Sequence, residues 1–401
     1  MDTHKIPSRI ILLLATACGI LAANIYYAQP LVGMISTEIG LPLEAAGLIV
    51  TMTQIGYGLG LLFIVPLSDL IENRRLVVSI MVVGIIALGS AGIAENAALF
   101  LAASLFIGLG SVAVQVLVPY AAHLAPEAIR GLVVGKVMSG LLLGIMLARP
   151  VASFITSLWG WRAIFFLSGL LVSVLALTLL LALPKRQPSS VKGYGSLLLS
   201  LWTLLINTPI LRRRAAYHAG LFGAFSLFWT AVPLYLAGPA FHLSQRGIAL
   251  FALAGVAGAV AAPIAGRLAD RGLGRIATLG AMLAVAAAFL LTHIGQAGST
   301  FSLVMLVLAA VLLDLGVSAN LVLGQREIFL LGAEIRGRLN GLYLALFFGG
   351  GAIGSALGGW AYAEGSWLLC TWIGIAFPLL VLLYFASERR KLKTDVLHII
   401  R

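Results

Sequence analysis

Long apolar runs separated by short polar breaks fill almost the whole chain. They lie at about 8–33, 44–66, 76–95, 98–123, 131–158 and 161–184 and, after a longer polar stretch, at about 211–236, 246–267, 274–294, 299–324, 338–363 and 367–387. A helix needs about 20 apolar residues to cross a bilayer. The runs are long and unbroken, unlike the short alternating strands of a membrane β-barrel. The pattern therefore predicts an all-α membrane protein with 12 transmembrane helices.

Composition agrees with an integral membrane protein. The chain is 61% hydrophobic and only 10% charged, whereas soluble domains carry about 25% charged residues. Lys5 and Arg9 lead directly into the first apolar run with no small-residue cleavage site, so we expect no removable signal peptide. Cys18 and Cys370 both lie within apolar runs and provide no disulfide or metal framework.

The positive charges are distributed by topology. All but three of the 26 Lys and Arg residues fall in loops, tails or span ends on one side of the predicted membrane, and the exceptions are Arg149, Arg162 and Arg246. Short loops rich in Lys and Arg mark the cytoplasm, so we expect both termini there, in a bacterial inner membrane. The net charge of +12 then reflects topology and contact with membrane lipids, and it does not require nucleic acid.

Two polar loop motifs recur half a chain apart. The segment VPLSDLIENRR (65–75) follows the second run and GRLADRGLGR (266–275) follows the eighth. APEAIRG (125–131) precedes the fifth run and GAEIRG (332–337) precedes the eleventh. Such repeats at matching topological places indicate two pseudo-symmetric six-helix bundles, a transporter architecture with its binding site at mid-membrane between the halves.

These repeats define the predicted domains. We expect an N-terminal bundle at 1–184, a cytoplasmic linker at 185–210, a C-terminal bundle at 211–387 and a basic cytoplasmic tail at 388–401. Within the linker, SLLLSLWTLLI is too short to span comfortably and is predicted to form an interfacial helix.

The chain resembles major facilitator superfamily transporters along essentially its whole length. The signature of that family between spans two and three, G-x-x-x-D-R-x-G-R-R, is matched here by Asp69, Arg74 and Arg75, and its second copy by Gly266, Asp270, Arg271 and Arg275. NIYYAQPL, GIMLARP and GWRAIF resemble a bacterial subgroup of the drug/proton antiporter branch, which includes exporters of drugs, sugars and purine nucleosides. The resemblance implies the major facilitator fold and secondary transport.

The charged loop residues are candidates for a cytoplasmic gate. Carboxylates beside arginines can form charge-assisted hydrogen bonds that clamp the halves together. The alternative is that the arginines only fix topology and that Asp69 caps a helix. The gate candidates are Asp69, Arg74, Arg75, Arg130, Asp270, Arg271, Arg275 and Arg336.

Two charged residues, Asp314 and Arg149, lie well inside predicted spans, where a charge is costly and is by default functional. Asp314 is a candidate proton-coupling residue, because a desolvated carboxyl group binds a proton more readily than one in water; its alternative is a structural salt bridge nearer the cytoplasm. Arg149 stays charged and is a candidate substrate anchor, with snorkelling to the periplasmic interface as its alternative.

Further polar groups are candidates for substrate contact. At about 100° per residue, Asn24 and Tyr27 share a helix face, which we expect to face the cavity, with Tyr26 and Gln29 at a boundary or hinge beside Pro30. An aromatic-belt role is the alternative. Gln54 and Gln115 either contact substrate or bridge helices, and Trp229 either stacks on a ligand or packs. We expect His218 to be solvated or lipid-facing.

The leading functional hypothesis is a secondary transporter that exports a small organic molecule in exchange for protons by alternating access. The alternative is a proton symporter or uncoupled facilitator that imports a sugar or organic acid. We do not expect an enzyme, since no clustered ligands or positioned nucleophile and base occur, and no G-x-x-x-x-G-K-[ST] loop for ATP is present. We expect a monomer without cofactors whose partners are substrate, protons and lipids.

Overall fold

A computed structural model describes residues 7–188, 193–332 and 334–399, with side chains placed up to residue 388 except at 259. Lys5, Lys192 and the side chains of the predicted basic tail beyond Glu388 lie outside the described residues. The described chain is helical throughout, without strands, as the apolar pattern predicts.

Within the part of the chain that the structure describes, ten helices are long and apolar enough to cross a membrane. They are Leu43–Asp69, Asn73–Gly92, Ala97–Leu124, Glu127–Trp159, Arg162–Ala182, Pro209–Ala237, Gln245–Asp270, Gly274–Leu291, Thr300–Phe329 and Arg336–Glu388.

The remaining two crossings of the predicted twelve come from the chain's two ends. Arg336–Glu388 is broken by non-helical backbone at Gly365 and Ser366 and so supplies the eleventh and twelfth spans. The first span begins with the helix Ser8–Ala23, continues through turns and a short 3-10 segment, and leads into the helix Val32–Glu38. The prediction of an all-α protein with twelve spans is confirmed.

Polar side chains set several helix starts. Glu72 accepts hydrogen bonds from the backbone N–H groups of Arg74 and Arg75 and caps the third span, while Asn96 caps the fourth and Ser299 the tenth. A cap satisfies a backbone donor that has no intrahelical partner. The cap of the third span is therefore Glu72 rather than Asp69.

The two halves meet most closely along the second and eleventh spans. A Cβ on Gly47 would lie 2.1 Å from the carbonyl oxygen of Ser355, so only glycine permits this approach. The Thr51 and Ser355 hydroxyl groups are 2.8 Å apart, and Tyr57 and Phe348 bring ring centroids to 4.5 Å. The fifth and eighth spans form a second contact between the halves.

The loops after the even-numbered spans lie at one end of the bundle, which we call the basic end. The gate candidates lie there. Arg74 donates to the carbonyl groups of Leu180 and Leu183. The other described partners are Glu72 for Arg75, Ala122 O for Arg130, Arg326 for Asp270, Glu388 for Arg275 and Phe329 O for Arg336.

Each of these partners belongs to the same half as its arginine or aspartate. No described ion pair involves Asp69 or Arg271. The predicted clamp between the halves is therefore not formed among the described residues, because the gate charges that have partners find them within their own half.

The predicted linker helix is present as Tyr194–Asn207 and contacts both halves. The Tyr194 hydroxyl donates to Phe63 O on the second span at 2.7 Å. Arg338, at the start of the eleventh span, donates to the Ser200 hydroxyl at 3.0 Å. Two hydrogen bonds between this helix and the spans, rather than ion pairs, thus join the halves where the clamp was expected.

At the opposite end, Arg162 donates a hydrogen bond to Glu38, an exposed residue beyond the end of the first apolar run. This bond holds the pKa of the Glu38 carboxyl below its usual range, so Glu38 is ionised at neutral pH. The pair fastens the start of the sixth span to the segment that follows the first.

Candidate functional site

Arg149 lies inside the bundle, among rings from two other spans. It is 3% exposed, and its guanidinium carbon lies 4.3 Å from the ring centroid of Trp229, 5.0 Å from Phe225 and 5.2 Å from Tyr26. Its Nε donates to Gln29 Oε1 at 2.7 Å. Rings attract a cation through their negative faces, so the cluster holds the charge in the interior, and Arg149 does not snorkel.

Asp314 accepts a hydrogen bond from a ring that also packs on Arg149. Trp229 Nε1 donates to Asp314 Oδ2 at 2.9 Å, and both residues are buried. The predicted alternative, a salt bridge near the basic end, is not what the described residues form. Trp229 therefore contacts the two intramembrane charges at once, through its ring face and its N–H.

The two charges flank one glycine of the eighth span without forming a direct ion pair among the described residues. A Cβ on Gly255 would lie 3.3 Å from Arg149 Nη1 and 3.4 Å from Asp314 Oδ1. The two groups therefore interact electrostatically in a low-dielectric interior, and each can still form further hydrogen bonds. Spans of both halves build the site, since Arg149 belongs to the N-terminal half and Asp314 and Trp229 to the C-terminal half.

A cavity of about 10 Å³, room for about one water molecule, adjoins this cluster on the side away from the basic end. Its walls are apolar apart from Arg149 and the edge of Trp229. The lining residues are Pro30, Arg149, Trp229, Val232, Pro233, Leu236, Ile248, Phe251 and Ala252. Apolar walls around one charged group are the usual lining of a small-molecule site, and in this conformation the space between them is closed to an organic ligand.

The structure does not place residues 24–29 of the first span on the predicted faces. Tyr26 and Gln29, expected at a boundary, contact Arg149, whereas Asn24 accepts a hydrogen bond from Ser168 on the sixth span. Tyr27 lies in a groove between the first and fifth spans. The cause is local: the α-helix ends at Ala23 and residues 24–28 form turns, so 100° per residue does not apply.

The two deep glutamines bridge helices in this structure. Gln54 donates to the Ser226 hydroxyl at 2.9 Å, across the two halves, and accepts a longer bond from Ser355. Gln115 donates to the Tyr57 hydroxyl at 2.9 Å. Of the two alternatives left open by the sequence, the structure shows helix bridging; neither residue lines the cavity beside Arg149.

His218 is neither solvated nor lipid-facing, contrary to expectation. It is fully buried, its Nδ1 lies 3.1 Å from Asn320 Nδ2, and its ring stacks on Phe347 at 4.4 Å and on Tyr343 at 5.3 Å. The seventh span is buried on almost every side, which an apolar sequence cannot reveal, because lipid and protein neighbours look alike in hydropathy.

The family model of the Major Facilitator Superfamily matches residues 12–328. The chain belongs to this superfamily. It is 37% identical to an uncharacterized transporter, YgaY, of Escherichia coli O157:H7 over 95% of each chain. It is 32% identical to a probable transporter of Streptomyces coelicolor over 91% of this chain and 86% of that one.

Solved structures of superfamily members show the same fold. The nucleoside transporter NupG superposes with a TM-score of 0.74 at 15% identity, covering 94% of this chain and 98% of that one. A bacterial homologue of the human lysosomal transporter Spinster gives 0.73 at 16% identity, covering 96% and 98%. The chain is thus a membrane transporter of the major facilitator type and not an enzyme.

Proposed function

We propose that this chain is a proton-coupled secondary transporter of a bacterial inner membrane, with both termini in the cytoplasm, that moves a small organic molecule by alternating access. The observation that carries the proposal is the position of Asp314. Among the described residues it is the acidic residue that is buried in a span. It accepts a hydrogen bond from Trp229, and its carboxylate and the Arg149 guanidinium both lie beside Gly255.

This arrangement supports coupling for an electrostatic reason. A proton on Asp314 changes the net charge around Arg149 by one unit in a site shielded from water, where such a change acts strongly. Any ligand held by Arg149 therefore responds to the protonation state of Asp314. Arg149 and Asp314 belong to different halves. Protonation of Asp314 therefore also changes the interaction between the halves, which alternating access must open and close.

The mode of coupling has two candidates. Export in exchange for protons, which the resemblance to the drug/proton antiporter branch implies, requires substrate and proton to compete for the site. Co-transport of an organic acid requires them to bind together, and it is favoured by a specific observation: Arg149 Nη2 is buried without a partner among the described residues. A negative group there would favour a protonated Asp314, since like charges repel.

Proton movement in proteoliposomes tests the proposal. The purified protein is reconstituted with the pH dye pyranine inside, and uridine, glucose, leucine or benzenesulfonate is added outside. We expect at least one compound to change the internal pH, with acidification indicating co-transport and alkalinisation indicating exchange, and we expect the change to vanish in Asp314→Asn. An unchanged response in Asp314→Asn, or no response to any compound, would refute proton coupling through this residue.

A further inference from the structure

We propose that the substrate is a small organic monoanion with an apolar body, and that Arg149 binds its carboxylate or sulfonate group. This inference rests on the proposed function and narrows it to a substrate class. It follows from three features of the surroundings of Arg149: two unpaired donors, the apolar walls of the adjoining cavity, and the charge.

Two buried hydrogen-bond donors at the site have no partner among the described residues. They are Arg149 Nη2 and Gln29 Nε2, and the two side chains are held together by the bond from Arg149 Nε to Gln29 Oε1. A buried donor without a partner is costly, so native structures rarely keep one without a reason. Both free groups are N–H donors, so the partner that satisfies them is an acceptor such as a carboxylate.

The cavity walls select the rest of the ligand. Beyond Arg149 and Trp229, every lining residue is aliphatic, proline or phenylalanine. A sugar or nucleoside would leave several hydroxyl groups unpaired against Val232, Leu236 and Phe251, and that loss is large. An aromatic or branched aliphatic body matches these walls. The space between them in this conformation is about 10 Å³, room for about one water molecule, so such a ligand enters when the halves move apart.

The charge of the surroundings determines the sign of the ligand. The charged and titratable groups that face Asp314 are Arg149 from the fifth span and Tyr26 from the first. The oxygen Asp314 Oδ2 is already bound by Trp229, and Asp314 does not line the cavity, whereas Arg149 does. A ligand in the cavity thus meets a cation first, which attracts an anion and repels an organic ammonium ion.

Binding of three compounds of the same shape tests the substrate class. Benzoate, benzamide and benzamidinium differ mainly in charge, and each is titrated into the purified full-length protein at neutral pH, with affinity measured by calorimetry and by thermal shift. We expect benzoate to bind and to raise Tm, benzamide to bind at least tenfold more weakly because it lacks the charge-assisted bond, and benzamidinium not to bind.

Two variants distinguish binding at Arg149 from nonspecific binding. Arg149→Gln keeps a polar side chain of similar length but removes the charge, and should abolish benzoate binding. Arg162→Gln removes an arginine that pairs with Glu38 at the surface and should leave the affinity unchanged. Since Arg149→Gln is a change in the interior, its Tm without ligand and its size-exclusion profile establish that it folds.

Each outcome decides the inference. Benzoate binding that is lost only in Arg149→Gln supports it. Equal binding of benzamide, binding of benzamidinium, unchanged benzoate binding in Arg149→Gln, or no binding of benzoate at millimolar concentration overturns it. Those results leave the proton-coupled function standing, because the dye experiment with uridine, glucose and leucine tests that function without an anionic compound.

Discussion

Gln29 and Arg149, on the first and fifth spans, are joined by a 2.7 Å hydrogen bond from Arg149 Nε to Gln29 Oε1. The bond uses one edge of the guanidinium and leaves Nη2 for a ligand. The planar fork of arginine fixes the direction of its remaining donors once Nε is held. Gln29 is therefore a positioning residue for the anchor of the site.

A carboxylate in place of this amide should occupy the anchor. Gln29→Glu puts a negative charge within hydrogen-bonding distance of Arg149, so we expect benzoate affinity to fall at least tenfold, since the arginine is then already paired. Gln29→Leu, the control, removes the bond without adding charge and should weaken binding less. Calorimetric titration checks both, and equal affinity of Gln29→Glu and the native protein would contradict the role of Gln29.

The bond from Trp229 to Asp314 should appear as an energetic coupling between the two residues. Trp229→Phe keeps a ring beside Arg149 but removes the N–H donor, at a typical cost of about 1–3 kcal/mol for a buried acceptor left without its partner. We expect Trp229→Phe to lower Tm clearly more in the native background than in Asp314→Asn.

Trp161→Phe provides the matched comparison. Trp161 is equally buried and makes no described contact with Asp314, so its effect on Tm should be the same in both backgrounds. Additive effects of Trp229→Phe and Asp314→Asn would show that the observed hydrogen bond contributes nothing to the folded state.

The contact at Gly47 should hold the two halves together at the end of the bundle that lies away from the basic end. In Gly47→Ala the new Cβ would lie 2.1 Å from Ser355 O, whereas in Gly58→Ala, on the same span, it would lie 3.7 Å from Ala345 O, an ordinary contact. We therefore expect Gly47→Ala alone to separate the second and eleventh spans and to open the cavity beside Arg149.

Cysteine labelling measures this opening. Ala252 lines the cavity, and Ala252→Cys is introduced in a background lacking Cys18 and Cys370. A membrane-impermeant maleimide should react several-fold faster in Gly47→Ala than in Gly58→Ala. If both variants label at the same rate, the close approach at Gly47 does not control access.

The linker helix should restrain the basic end. Tyr194→Phe together with Ser200→Ala removes both of its described bonds to the spans. Spin labels at the exposed positions Ile71 and Leu331 should then show a broader and longer distance distribution. Ser196→Ala, which removes only a hydroxyl bonded within the helix to Gly193 O, should leave the distances as in the native protein; a change of the same size there would contradict the restraint.

Hydropathy was sufficient to predict the spans because each one sums the same signal over about 20 residues. The cost of burying charge likewise identified Arg149 and Asp314 as interior residues. The sequence did not reveal Tyr26 and Gln29, because the helix stops at Ala23 and the turns before Pro30 rotate their side chains towards Arg149. The partners of the loop arginines were also not predictable, since each of them has several acceptors within reach of a long side chain.

The central claim is that ligand binding at Arg149 and protonation of Asp314 are linked. Calorimetry of benzoate binding in two buffers of different ionisation enthalpy, repeated across about pH 5 to 9, gives the number of protons taken up with the ligand. The account predicts net proton uptake by the native protein in part of this range and none by Asp314→Asn. Benzoate binding without proton uptake in the native protein, or with the same uptake in Asp314→Asn, would contradict it.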